Sequence, residues 1–386
     1  MIPAVRPSRG PSPKPVRPIC ACVLVLAACA PRPSGGAPAA EGQASVPATR
    51  TFANPIVATE AGDPWVVRHG DRYYFTATLE PDGGLWVWES PTLTALGEAP
   101  RRVRVWSAPP SGPMSRQIWA PELHRLGGRW YLYFTASDGV DDHHRHYVLE
   151  ARTDDPLGPY APPDRVDPAF ERYAIDGSVL ALPDGRLYFL YCAGGSENGV
   201  YIAPMSGPTR VSGPGVRIVR GTEPWEHGWR RTATGWERDV GYWVEAPEAL
   251  VHEGRVFLAY SAGHTATPHY YVGLMTLAPG ADPMDPAAWI KRRTPILAPL
   301  EAPDGRPDGG AYTTGHNSFT VSPDGRESWI VYHAKDRAVW GGQTPDTGAR
   351  VVRSVRAQRF TWGADGTPRF PAVVPSGVRL RRPSGE

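Results

Sequence analysis

One pattern occurs five times along this chain and limits the folds open to it. Each copy is a Gly-containing turn, then a strand of aromatic and β-branched residues that ends in a small polar residue. The copies are Gly70-Asp71-Arg72 before Tyr73–Thr78, Gly127-Gly128-Arg129 before Trp130–Thr135, Asp184-Gly185-Arg186 before Leu187–Cys192, Glu253-Gly254-Arg255 before Val256–Ser261, and Asp324-Gly325-Arg326 leading to Trp329–His333. The strand starts are 57, 57, 69 and 73 residues apart. Such an interval holds about four short strands with their turns. Four-stranded sheets repeated about an axis make a β-propeller. A β-sandwich does not call for five near-copies, and the coils of a right-handed β-helix are much shorter. The expected fold is all-β: a five-bladed β-propeller in one domain, residues 51–379, with a short tail at 380–386. Its 42 Gly and 44 Pro punctuate turns and disfavour long helices.

A second short apolar segment precedes each turn: Asp63–Val67, Trp119–Leu123, Asp176–Leu180, Glu245–Leu250 and His316–Thr320. Their leading residues lie 10, 11, 11, 11 and 13 positions before the strand starts. Near-equal offsets in a repeat mark near-equivalent places in each blade. If these segments are the innermost strands, Asp63, Trp119, Asp176, Glu245 and His316 meet at one mouth of the central channel. No linear motif would reveal such a site.

The N-terminus reads as an export signal. Residues 1–18 carry Arg6, Arg9, Lys14 and Arg17 and no acid, and Ile19 to Ala28 is an unbroken apolar run. Ten residues are too few for a bilayer, which takes about 20, so the run is the core of a signal peptide. It ends Leu26-Ala27-Ala28-Cys29, which resembles the lipobox of bacterial lipoproteins. Residues 1–29 are therefore expected to be a signal ending at a lipidated Cys29, and the Pro-, Gly- and Ala-rich stretch 30–50 a flexible tether. The expected location is a bacterial membrane surface or, without the lipid, the secreted fraction. Cys192 is then the one cysteine inside the domain, so no disulfide framework forms. CxxC and HExxH spacings are missing, which argues against zinc. The formal net charge of +2 gives no case for nucleic-acid binding.

Three carboxylates around a channel suit glycoside hydrolysis. One acid must keep its proton and give it to the leaving oxygen, while another must be ionised to take a proton from water. A third, by like-charge repulsion, keeps the first protonated. Trp119 offers an apolar face to a sugar ring.

At this point the chain resembles glycoside hydrolase family 43, five-bladed propellers acting on arabinan- and xylan-type sugars. The resemblance rests on Asp63-Pro64-Trp65, Ile175-Asp176-Gly177-Ser178, Glu245-Ala246-Pro247 and Gly315-His316-Asn317-Ser318-Phe319, in the family's order, and spans about residues 52–375. It implies that Asp63 is the general base, Asp176 the pKa modulator and Glu245 the general acid. Trp119, Trp65, His316 and Arg353 are the implied substrate contacts. His316 would sit on the channel floor, touching water or an axial calcium or sodium ion; no organic cofactor is implied. The family often has Gly where this chain has Ala246 and Pro where it has Gly177. The phrases Ile118–Leu123, His146–Glu150, Ala174–Leu180, Tyr201–Ser206 and Ala357–Trp362 resemble the exo-acting α-L-arabinofuranosidase branch. The family's xylosidases usually carry a second β-sandwich domain, for which the roughly 50 residues after the fifth copy leave no room. The expectation is an inverting exo-enzyme, monomeric, that releases terminal α-L-arabinofuranosyl residues from oligosaccharides. A β-xylosidase, an endo-arabinanase and a non-catalytic carbohydrate-binding propeller stay open.

Other residues have bland readings beside functional ones. Glu248 lies three positions past Glu245 and is expected on the opposite strand face. Glu122 is out of register and is expected to be a structural partner of strand backbone or Arg side chains. Asp141 to His146 is read as a solvated loop over the pocket, since adjacent ligands cannot easily close one coordination sphere. Trp225, Trp229, Trp236 and Trp243 crowd the approach to Glu245, and both blade packing and sugar stacking fit them.

Overall fold

The computed structural model describes residues 50–166, 173–195, 198–300, 310–341 and 350–386. The signal 1–29 with Cys29, and the linker up to residue 49, lie outside the described residues. Five antiparallel sheets follow one another along the chain. Their innermost strands are Gly62–His69, Arg116–Leu126, Ala174–Ala181, Val244–His252 and Tyr312–Val321. Each pairs with the strand carrying the repeated aromatic pattern, and two further strands complete the blade; blade three adds a fifth, Val216–Val219. Each innermost strand also packs against its neighbour in the ring, and that of blade five against that of blade one. This is the five-bladed propeller that the repeat implied. The only helices among the described residues are short 3₁₀ turns.

Aromatic and aliphatic side chains of adjacent blades form the core in seams between sheets. Trp130, Leu132 and Phe134 pack with Val87, and Tyr133 with Phe189 and Tyr191. An excursion stands outside the blades: the two-stranded hairpin His227–Thr232 and Gly235–Tyr242, which leads into the blade-four inner strand.

The ring closes on a stitch between the two ends of the domain. Ile56 N donates to Val355 O (2.8 Å), and Val355 N donates to Val57 O (2.9 Å). Asn54 clasps Ala357 through both side-chain amide atoms. The same stitch carries Glu60 and Arg353 to the side of Asp63. The expected tail at 380–386 is instead part of the fold. Arg379–Arg381 pairs antiparallel with Thr51–Ala53, Leu380 packs on the core, and the Glu386 carboxylate accepts from the Leu93 and Thr94 amides. These residues satisfy a strand edge that would otherwise stand open.

Candidate active site

Every innermost strand breaks its ladder near its start. The register shifts at Gly62/Trp65, Trp119/Glu122, Ile175/Ser178, Glu245/Glu248 and Gly315/Ser318. In each bulge one non-glycine residue takes a left-handed backbone: Asp63 (φ 55°), Ala120 (46°), Asp176 (57°), Ala246 (54°) and His316 (47°). Such a conformation costs on the order of 1 kcal/mol or more each and persists only where the surroundings enforce it. The equivalent positions are thus 63, 120, 176, 246 and 316. Trp119 and Glu245 precede theirs by one residue, so the expected ring is staggered rather than level.

A bulge frees a backbone N–H, and the fold supplies an acceptor from the preceding blade. Ala120 N donates to Thr78 Oγ1 (2.8 Å), Asp176 N to Thr135 Oγ1 (3.2 Å), His316 N to Ser261 Oγ (2.8 Å) and Asp63 N to His333 Nδ1 (3.0 Å). These acceptors are the polar residues that end the repeated strands. The fifth such position is Cys192, whose thiol donates to Val244 O (3.2 Å). The Ala246 amide therefore donates to Asp176 Oδ2 (2.9 Å). One carboxylate replaces the missing hydroxyl and is fixed beside Glu245. Cys192→Ser is expected to divert that amide and slow turnover about three- to tenfold, with a shifted pH–rate profile. Cys192→Ala, which offers no acceptor, should stay within about twofold of wild type. Equal effects of the two would contradict this account.

The five leading residues do meet. Asp63, Trp119, Asp176, Glu245 and His316 all line one cavity of about 650 Å³, and Arg353 joins them. Asp63 is held by three groups. Arg353 Nη1 donates to Oδ1 and Oδ2 (3.2 and 3.3 Å), and His316 Nδ1 lies 3.2 Å from Oδ1. His333 receives the Asp63 amide on Nδ1 and stacks parallel to Tyr270, at 5.7 Å and 5°. Arg353 is itself fixed by Glu60, which accepts from its Nε at 2.8 Å and its amide at 3.0 Å.

The charges sort the three acids. Burial alone would raise the Asp63 pKa, but the Arg353 and His316 cations outweigh it and hold the carboxyl well below its usual range. Desolvation works against the His316 cation, yet Asp63 and Asp176 raise it to about 9. Asp176 is pushed up to about 8, by burial first and then, against the pull of His316, by Glu245 and Asp63. Burial also raises Glu245, although Trp243 Nε1 and Tyr270 Oη (2.7 Å) donate to its two oxygens. One permanently ionised carboxylate thus faces a pair that retains a proton at neutral pH.

Trp119 is braced on both sides. Its indole N–H donates to Glu80 Oε1 (2.9 Å), and its ring stacks on His144 at 4.6 Å. Trp65, expected as a substrate contact, is not among the cavity-lining residues. The bulge at Asp63 and Pro64 resets the strand alternation. Trp65 instead fills the seam between blades one and two, donating to Leu123 O (2.8 Å) and packing 4.5 Å from His124. Glu248 is buried away from the cavity beside Glu122, whose carboxylate pairs with His124 (2.8 Å) rather than with backbone or Arg. Of the expected solvated loop, only Asp141–His143 is an exposed 3₁₀ turn, with Asp141 at the cavity rim; His144, Arg145 and His146 are buried, the last two in the strand Arg145–Glu150. A Cβ on Gly177 would lie 2.6 Å from Phe189 and 2.7 Å from His146, so Pro there would require both buried rings to shift. Trp225 packs on Tyr260 and donates to Arg293 O, whereas Trp243 lines the cavity. Among the described residues no three His, Cys, Asp or Glu cluster as metal ligands, and an ion near the axis would meet His316 only through water, because that ring carries its proton beside Asp63.

The residues that sequence reasoning missed are Glu60, Glu80, Tyr270 and His333. His333 was within reach, because it ends the fifth repeated strand. The other three carry no local motif.

The model of the family described as glycosyl hydrolases family 43 matches residues 52–368. An extracellular exo-α-(1→5)-L-arabinofuranosidase of Streptomyces avermitilis is 34% identical over 337 residues, covering 85% of this chain and 65% of that protein. The chain thus spans about two thirds of that relative's length. An enzyme of the same description from Streptomyces chartreusis is 37% identical over 299 residues, 75% of this chain and 84% of that protein. The crystal structure of an α-L-arabinofuranosidase from Lactobacillus brevis superposes with a TM-score of 0.71 at 30% identity, covering 85% of this chain and 98% of that one. With the fold, the ring of acids and these likenesses in agreement, the chain belongs to glycosyl hydrolase family 43.

Proposed function

We propose that the protein is an inverting exo-glycosidase that removes terminal α-L-arabinofuranosyl residues from arabinan- and arabinoxylan-type oligosaccharides. One observation carries this reading: Asp63 is kept ionised by Arg353 and His316, while Glu245 and Asp176 share a raised affinity for protons. Asp63 takes a proton from water as that water attacks the anomeric carbon. Glu245 gives its proton to the departing oxygen, and no covalent intermediate forms. Asp176, tied to the Ala246 amide, holds Glu245 in place and repels its charge. Trp119 stacks on the sugar, and Arg353 and His316 donate to its hydroxyls. The reaction so written needs no organic cofactor, and one chain supplies the residues of the site. The relatives' names support arabinofuranose over xylose.

The test is a comparison of 4-nitrophenyl glycosides. The α-L-arabinofuranoside should be hydrolysed at least about tenfold faster than the β-D-xylopyranoside. The reverse order would place the protein among the xylosidases, and cleavage of neither would refute the proposal. A lipid on Cys29 would hold this activity at a membrane through the 30–50 tether. Cys29→Ala should then move the protein to the soluble fraction, and unchanged fractionation would refute the anchor.

A further inference from the structure

The hairpin His227–Tyr242 lies outside the blades, yet its Trp236 packs against His264, a residue of the cavity wall. It leads directly into Trp243, whose indole binds Glu245, and Trp243 O accepts from Gly263 N (3.1 Å). The next residue, His264, lines the cavity, and Trp236 of the hairpin lies edge-on to it at 5.0 Å. Trp340 follows, 6.5 Å from Trp236 with the planes tilted by 36°, and is 40% exposed. Its neighbour Gly341 lines the cavity and donates to Ala266 O (2.6 Å). Aromatic surface therefore continues outward from His264, at the end of a strand in the blade that carries Glu245.

The chemistry gives that side a meaning. A general acid must lie next to the oxygen that leaves, so the remainder of the substrate emerges past Glu245. Aromatic faces bind sugar rings through their apolar C–H faces, and indoles at a wet surface keep a polar edge for water. Trp340 packs edge-on against Trp229 of the hairpin (5.0 Å) and against His269 (5.5 Å), yet 40% of it stays open to solvent. We infer that Trp236 and Trp340, with His264 beneath, form a shelf that binds the sugar ring on the leaving side of the scissile bond, in a neutral furanose oligosaccharide. This rests on the proposed function and adds to it a place for the substrate's second residue.

The test separates substrates with and without that residue. The pair Trp236→Ala/Trp340→Ala should lower kcat/KM for α-1,5-linked arabinotriose about tenfold. Hydrolysis of methyl α-L-arabinofuranoside, which has no second ring, should stay within about twofold. Trp340→Phe in the Trp236→Phe background should restore most of the loss. A parallel fall with both substrates would make the rings merely structural, and no fall with either would remove the shelf. If the wild-type protein cleaves neither substrate, the activity reading fails on its own account. The shelf is then read by tryptophan fluorescence: arabinotriose must give the wild type a larger response than methyl α-L-arabinofuranoside does, the double variant must lose that difference while keeping the response of Trp119 and Trp243, and an unchanged difference would overturn the shelf.

Discussion

Replacing Asp63 by Asn is expected to lower kcat about 10³- to 10⁴-fold while the propeller stays folded. Asn keeps the shape of the side chain but cannot take a proton from water. It is also among the few residues that tolerate the left-handed backbone at this position, where φ is 55°. The amide of residue 63 still reaches His333, so the bulge keeps its acceptor. Arg353 keeps its bond to Glu60, and His316 keeps Asp176 as a nearby counter-charge. No buried cation is left alone, so the expected loss of thermal stability is small compared with the loss of rate. His316 loses its main partner, and its pKa should fall from about 9. Steady-state kinetics and a melting curve on the purified variant decide the matter. A kcat within tenfold of wild type would remove Asp63 from the role of base.

Glu245→Gln should show a loss that depends on the leaving group. For an oligosaccharide, whose departing alkoxide needs a proton, kcat/KM should fall about 10³-fold. For an aryl arabinofuranoside with a strongly acidic phenol, departure needs little help, and the loss should be about tenfold or less. The pH dependence provides a second readout. The wild-type reaction needs Asp63 ionised and Glu245 protonated. Since Asp63 is held low, ionisation is complete through the neutral range, and the alkaline limb belongs to the Glu245–Asp176 pair. Rate should therefore fall as pH rises and the pair gives up its proton. With Gln at 245 and the activated aryl substrate, that alkaline limb should vanish. Equal losses on both substrates, with the limb retained, would assign the proton to another group.

The fold was legible because the repeat is written in residue types. Five glycine turns and five aromatic strands mark the blades, and the polar residues ahead of them converge as the repeat requires. The register of the ring was less legible, because nothing in the sequence marks a bulge. The left-handed position falls on Asp, Ala, Asp, Ala and His, which share no chemistry. The placement of Trp65 failed for the same reason: strand alternation was carried through a bulge that resets it. Glu60 and Tyr270 escaped notice because their roles depend on packing between distant segments. Glu60 reaches Arg353 across 293 positions, and Tyr270 reaches Glu245 from the third strand of the same blade, across the strand between them. The C-terminal residues looked like a tail because a three-residue strand carries too little pattern to announce a partner more than 300 residues away. Conversely, the repeat carried more information than it first gave. The polar residue that ends each aromatic strand is the acceptor for the next blade's bulge, and Cys192 is the exception that hands the task to Asp176.

The most direct measurement follows the stereochemistry of the first sugar released. Proton NMR of an arabinofuranoside digest, read within the first minutes, should show the β-anomer of arabinose ahead of the α-anomer, as an ionised Asp63 delivering water opposite a protonated Glu245 requires. An initial α-anomer would mean a covalent intermediate, and the division of labour drawn from these side chains would be wrong.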